Sequence, residues 1–312
     1  MKRRAILRES RLMQAAVGVT VIAAPTSAAL ADAPQAAAPL QTHVKSHRLR
    51  YGQAVVLDGR APASDAGQTV ELAFASSAST SWQAIAFTQI APGGGFRLSA
   101  PLSTSGSVKV SISAAGGAAA SAAASASSPP QRVAVAASLR VRRHARELFG
   151  PRRIEVQGVL LPRSGRHRVL LQTRSGRRWR TLARGYTRSN GRFALRYFAV
   201  AAGNERLRVR FPGDRSNAAV TAPAGRVTVF HPSVASWYYD GGTTACGFHA
   251  QYGVANLSLP CGARVQLSYG GRTVTAVVDD RGPYVGGREW DLNQNTAAAL
   301  GFGGVGTVWS SR

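Results

Sequence analysis

The 312-residue chain has two cysteines, two methionines and three lysines, and its 14 acidic residues are outnumbered by 39 basic ones. Each shortage removes a class of protein. Two cysteines cannot build a disulfide-dense scaffold, and Cys246 and Cys261 with His249 and His231 fit no zinc spacing, so no metal is expected. Beyond the N-terminus no run is long and apolar enough to span a bilayer. The glycine-rich GFGGVG at 301–306 lacks the lysine and following helix of a phosphate-cradling loop, so no nucleotide or other cofactor is expected. Basic residues abound, but no aromatic platform interleaves with them in a nucleic-acid-binding pattern.

What is present begins with a segment that reads as a secretory signal peptide, a retained signal anchor being the alternative. MKRRAILRESR is a basic n-region, LMQAAVGVTVIAA a short apolar core, and the ALA at 29–31 a small-residue site with the cut after Ala31. In an exported chain Cys246 and Cys261, with 14 residues between them, read as a disulfide contributing about 3 kcal/mol. The positive charge is uneven. Residues 131–230 hold 23 arginines against four acids, a net +19, whereas residues 234–312 hold five of each. The basic segment attracts polyanions at long range, and in an exported protein anionic wall polymers, lipid headgroups and extracellular nucleic acid all stand open. Arginine outnumbers lysine 36 to three, so a compositional bias explains part of this charge equally well.

The pattern predicts an all-β chain. Residues 32–47 are expected as a flexible leader. From 48 to 114, short runs such as YGQAVVLDG, QTVELAFAS and GSVKVSIS alternate with period two and break at Gly, Pro and Ser, which predicts antiparallel strands. Residues 115–131, rich in Ala and Ser and ending near Pro129-Pro130, are expected as a mobile linker that leaves its neighbours free to reorient. Residues 132–230 repeat the first set: Trp82 corresponds to Trp179, and Gly95 to Leu98 corresponds to Gly191 to Leu195 with one residue added. Two small immunoglobulin-like β-sandwich modules are therefore expected, as spacers or binders. The last module, 234–312, is expected to hold five or six strands and one helix in NQNTAAALGF, stopped by Gly301, around a core of Val265, Leu267, Val274, Val277, Leu292, Leu300 and Val308.

The motifs ASWYY (235–239), TACG (244–247), GVANLSLPCGARVQL (253–267), GGRTVTAVVDDRGPYVGG (270–287) and WDLNQNTAAALGF (290–302) together resemble the rare-lipoprotein-A-like double-psi β-barrel domain, of actinobacterial type. The resemblance covers a quarter of the chain and leaves the two sandwiches unexplained. It implies a six-stranded barrel with a shallow groove and peptidoglycan glycan strands as the partner. It also implies a secreted, extracellular or wall-bound place, with no membrane span after signal cleavage. Relatives include lytic transglycosylases and non-hydrolytic wall-loosening expansins. Three readings follow: a transglycosylase cleaving MurNAc-GlcNAc linkages, an expansin-like wall-binding module, and a structural or interaction protein of the envelope.

The resemblance selects Asp280 as the acid/base, because it precedes Arg-Gly-Pro. Substrate contact and plain architecture, with Asp280 accepting backbone amides, remain open for the same residue. Asp279 falls where the family often has asparagine. Neighbouring side chains of an extended strand face opposite ways, so Asp279 and Asp280 do not form a catalytic pair. Where the family has histidine this chain has Asn256, which cannot exchange a proton near neutrality, and the acidic residue of family transglycosylases between TACG and GVAN is missing. His249 in CGFHA is the candidate replacement. Asn256, Tyr284, Tyr238 and Asp279 are expected to contact substrate. Arg281 is expected to pair with a carboxylate such as Asp291, Gly282 and Pro283 to make the turn, and Asp291 to cap the helix.

Overall fold

The computed structural model describes residues 40–113, 126–142, 144–163 and 165–312. The expected signal peptide and most of the expected linker lie outside them. Among the described residues no helix is long and apolar enough to cross a membrane.

The first eight strands are β1 (Gln41–Val44), β2 (Arg48–Arg50), β3 (Ala54–Arg60), β4 (Thr69–Ser76), β5 (Gln83–Gln89), β6 (Gly95–Pro101), β7 (Gly106–Ser113) and β8 (Gln131–Ala136). A three-stranded sheet, β1-β3-β6, and a five-stranded sheet, β2-β8-β7-β4-β5, close over one apolar cluster. Alternation explains the packing: in β6, Phe96, Leu98 and Ala100 point inward while Arg97 and Ser99 point out. Leu57, Leu72 and Leu98 are fully buried, each contributing about 1.5–3 kcal/mol. Two boundaries differ from expectation. The leader was expected to run to residue 47, but Gln41–Val44 pairs with β3 because its Val44 fills the core. The linker was expected to run to residue 131, but Ala126 and Ser128 bond back to Ile112 and Val110, and β8 completes the first unit.

The next eight are β9 (Ser138–Val141), β10 (His144–Phe149), β11 (Arg152–Leu161), β12 (Arg168–Ser175), β13 (Arg178–Tyr186), β14 (Arg192–Ala199), β15 (Gly203–Phe211) and β16 (Val220–Tyr238). Strands β14-β11-β9 form one sheet and β13-β12-β15-β16 the other side of a second core, with β10 parallel to β16. Gly158 lies opposite Phe193 as Gly59 lies opposite Phe96, and in both places a Cβ would collide with the ring. The turn glycines Gly94 and Gly191 share φ near +76 and would each strike the facing carbonyl, of Ala61 or Leu160. Gly94, rather than Gly95, therefore matches Gly191, and no residue is added. Free reorientation of the two units is also corrected. Only Ala137 separates β8 from β9, and Asn217 Nδ2 donates to Ser103 O at 2.8 Å and Val135 O at 3.3 Å across the seam.

The 19-residue β16 continues without a break into the third unit. There follow β17 (Gly253–Ala255), β18 (Arg264–Tyr269), β19 (Arg272–Asp280), β20 (Trp290–Asn293), helix α1 (Gln294–Leu300) and β21 (Gly306–Ser310). The pairings run β16-β20-β17-β19-β18-β21 and return to β16, so the ring has no open edge. Trp290, Leu267, Leu292 and Val308 fill it, with Val265 and Leu300, while Val274 packs at its margin and Val277 is half-exposed. At the junction Phe149 stacks on Phe230 at 5.1 Å and meets Trp309 edge-on at 5.4 Å.

Candidate functional site

The site gathers where β19 ends. Its ladder to β17 matches Gly253 with Val277 and Val254 with Val278, then jumps to Ala255 with Asp280. Asp279 is thus the extra residue of a β-bulge, and the simple alternation stops there. Its side chain is fully buried. The carboxylate rests on Gly253, where a Cβ would lie 2.1 Å from Oδ2. Oδ2 accepts the Ala250 N–H at 2.8 Å, while Oδ1 has no partner among the described residues. Burial pushes the Asp279 carboxyl above its ordinary value, and the negative charges of Asp240 and Asp280 act in the same sense. Asp279 was expected to contact substrate; a carboxylate sealed from solvent does not.

Asp280 lies differently. Its Oδ1 accepts two backbone amides, from Ala245 at 2.8 Å and Arg281 at 2.8 Å, and its residue surface is partly exposed. Both amides bond the same oxygen, and among the described residues none donates to Oδ2. Accepting backbone amides is what the architectural reading of Asp280 expects, and the residue is also partly exposed.

Arg281 was expected to pair with Asp291 and does not. Its Nη1 donates to Asn256 O and Leu259 O, each at 2.9 Å, and its Nη2 lies 3.1 Å from Cys261 Sγ. The guanidinium therefore staples the 256–261 loop, which the Cys246–Cys261 disulfide, Cα atoms 5.7 Å apart, ties to the Ala245 segment. Gly282, at φ +135°, and Pro283, joined by a cis peptide bond, carry the chain away from Asp280 with both residues buried. Tyr284 follows with 81% of its surface exposed.

Asn256 was expected to contact substrate, but its amide is consumed internally. Its Oδ1 accepts the N–H groups of Ser258 at 3.0 Å and Leu259 at 2.8 Å, and Nδ2 donates to Glu289 O at 3.1 Å. It is a turn-forming residue, buried to 5% exposure. His249 pairs through Nδ1 with Asp240 at 2.9 Å, not with Asp280, and that carboxylate raises the imidazole above its ordinary value. The two line a surface depression of about 380 Å³ with Gln251 and Gln294. Tyr238 turns its hydroxyl inward, where it has no hydrogen-bond partner among the described residues. Burial, then the charges of Asp279, Asp280, Asp240 and Asp291, hold that phenol protonated. Asp291 does not cap the helix. Asn293 does, accepting from Thr296 N at 2.9 Å, while burial raises the Asp291 carboxyl.

Three contributors escaped sequence reasoning. The Ala245 amide has no side-chain signal at all. Asp240 in YYDGG reads as a turn residue, and Gly253 as a strand glycine. Among the described residues no group of three or more His, Cys, Asp or Glu is placed to hold a metal ion.

A sequence profile for a family described as lytic transglycolase matches residues 233–309. A curated relative from Synechocystis sp. (strain ATCC 27184 / PCC 6803 / Kazusa), the probable endolytic peptidoglycan transglycosylase RlpA, is 38% identical over 85 residues. That match takes in 24% of this chain and 26% of the relative, so the chain spans about a quarter of its length. A solved chimeric titin Z1Z2 tandem covers 61% of the chain and 99% of its own at 15% identity, with a TM-score of 0.25, too low to bear on the fold. The profile, the relative and the Asp-Arg-Gly-Pro corner agree on one assignment: residues 233–309 form an RlpA-like double-psi β-barrel domain of the lytic transglycolase family.

Proposed function

We propose that the barrel engages peptidoglycan glycan strands and cleaves MurNAc-GlcNAc linkages as a lytic transglycosylase, with Asp280 as its single acid/base. The observation that carries this is the asymmetric seat of Asp280: Oδ1 is held by two amides and Oδ2 is left free for a ligand. In its protonated form Asp280 donates its proton to the glycosidic oxygen as the anomeric C–O bond breaks. The resulting carboxylate then takes the proton of the muramyl 6-hydroxyl while that oxygen bonds to the anomeric carbon, giving a 1,6-anhydro sugar and a restored carboxyl group. One group serves both steps and no water is consumed, unlike the paired-carboxylate glycosidases. Tyr284, exposed beside the turn, offers a ring face to a neighbouring sugar.

A second reading rests on a specific observation. His249 is committed to Asp240 and Asn256 to its own turn, so among the described residues no second proton-transfer side chain bonds to Asp280. Binding without cleavage, as in a wall-loosening module, is the form the site takes if one carboxyl group is insufficient. The flanking units are read as two copies of one immunoglobulin-like sandwich in an exported, wall-associated chain. Their matched Gly-Phe registers support the copying, and their role is to hold the barrel against the envelope.

The test incubates the full chain and Asp280→Asn with purified glycan strands and reads products by mass. Asparagine keeps an oxygen for both amides, so the fold is expected to survive. A 1,6-anhydro product from the parent and none from Asp280→Asn supports the enzyme. Binding by both with product from neither replaces it by the wall-binding reading.

A further inference from the structure

The outer face of β9, β11 and β14 carries a cleft of about 690 Å³, far from the Asp280 corner in sequence and built on a different sheet. Its walls include Arg140, Arg142, Arg188 and Arg192, all exposed. Among the described residues Glu155 is the only carboxylate lining it, and that group is already engaged by Arg196. No carboxylate of the described residues pairs with the other four.

The same topological positions in the first unit show what is particular here. The Gly-Phe registers place Arg140 and Arg142 where β1 has Gln41 and His43, and Arg188 and Arg192 where the β5–β6 turn has Ala91 and Gly95. On that first face Arg97 and Lys45 share Asp58. The first face thus keeps one exposed cation, Arg60, without an ion pair among the described residues, while the other places four such guanidinium groups around a concavity.

We propose that this cleft binds a linear phosphodiester polymer of polyol or sugar units. Guanidinium forks match phosphate oxygens two at a time and stay charged at any physiological pH. A cleft of this volume holds several repeat units of a chain rather than one anion, since a water-sized group needs only about 30 Å³. The floor between the cations is formed by Val141, Val159 and Gly158 and suits a carbon backbone. It offers nothing for a base to stack on: the sole lining aromatic, Phe193, is 4% exposed beneath Gly158. That favours a base-free polymer over single-stranded nucleic acid, whose binders depend on open aromatic faces. The cleft's occupancy is independent of whether the barrel cleaves glycan.

The experiment measures binding of a synthetic glycerol-phosphate oligomer to the full chain across salt concentrations. Three proteins are compared: the parent, the cleft variant Arg140→Gln/Arg142→Gln/Arg188→Gln/Arg192→Gln, and a control, Arg174→Gln/Arg178→Gln/Arg180→Gln/Arg184→Gln, which removes equal charge from exposed positions on β12 and β13. The cleft variant is expected to bind at least about tenfold more weakly and to lower the slope of log Kd against log salt by about 3, at ~0.7 per phosphate contact. The control is expected to track the parent. Competition arms use polyglutamate, an oligothymidylate and phosphatidylglycerol vesicles of matched total charge, each expected to bind more weakly. Equal loss in the control reduces the effect to the general field and overturns the site. Unchanged binding by the cleft variant overturns it outright, and tighter or equal binding of any competitor overturns the ligand assignment. Should the quadruple variant unfold by circular dichroism, Arg140→Gln/Arg142→Gln and Arg188→Gln/Arg192→Gln are each expected to lose about half the slope, and no loss in either refutes the proposal.

Discussion

Replacing Asp279 by asparagine should stabilise the barrel at neutral pH. The parent side chain is fully buried with one oxygen bonded to Ala250 N and the other unpartnered. Burial holds its carboxyl above the unfolded value of 3.8, so the folded chain binds this proton more tightly than the unfolded chain. The group's stabilising share is therefore complete below 3.8 and is lost as pH rises through the folded value. Asparagine keeps the shape and the Ala250 bond but carries no charge. Asparagine still leaves one polar atom unpartnered there, so the expected gain at pH 7 is that of removing the buried charge, on the order of 1–3 kcal/mol. With urea slopes of about 1–3 kcal/mol/M, the midpoint should rise by about 1 M at the middle of both ranges. Fluorescence in a Trp82→Phe/Trp179→Phe background reports the barrel alone, because Trp237, Trp290 and Trp309 all lie there. The gain should shrink steadily on acidification and vanish as Asp279 becomes protonated in both states. A variant less stable than the parent at pH 7, or a gain indifferent to pH, would refute the assignment of a destabilising buried charge.

Two further outcomes follow from the same corner. Arg281→Lys should cost about 2 kcal/mol, because one compact ammonium on a differently shaped stem cannot hold Asn256 O and Leu259 O and also reach Cys261 Sγ as Nη1 and Nη2 together do. The Cys246–Cys261 disulfide should then be reduced faster by dithiothreitol, and unchanged stability with unchanged reduction would show the staple to be idle. His249 should titrate above 6.5 by NMR because Asp240 favours the imidazolium, and Asp240→Asn should bring the midpoint down. Any stability linked to this pair is present below 6.5 and is lost as pH rises through the folded value, and a midpoint insensitive to Asp240→Asn would remove the pair from the account.

Periodicity made the strands legible, since Phe96, Leu98 and Ala100 alternate with exposed neighbours in one readable run. Helix α1 was legible too, because Gly301 takes the left-handed conformation at its C-terminus. The cap was misplaced by two residues: Asp291 and Asn293 are equally good capping types, and the choice was made by β20, which keeps Asp291 in the ladder with β16 and β17. Arg281 was misread for a related reason. Sequence proximity suggests carboxylates as arginine partners, whereas the closed loop of a disulfide presents two carbonyls at the right spacing. The linker's end was hidden by composition, as Ser127 and Ser128 look solvated and yet return to β7 through main-chain bonds.

The bulge matters most for the site, and no local pattern announces it. Alternation separates Asp279 from Asp280 on an ideal strand, but in a continued ladder Asp279 would have been matched to Ala255 in place of Asp280. The extra residue is accommodated because Gly253 has no Cβ to exclude the Asp279 carboxylate. Placing Asp279 inward brings Asp280 to the strand's end, where the amides of Ala245 and Arg281 converge on one oxygen. The Ala245 amide is held there by the neighbouring disulfide, and the disulfide's other cysteine by the Arg281 fork. Each of these contacts restrains the next, so the free oxygen of Asp280 occupies one defined direction without a second charged group to aim it. That single defined direction is what the proposed acid/base role at the anomeric carbon draws on.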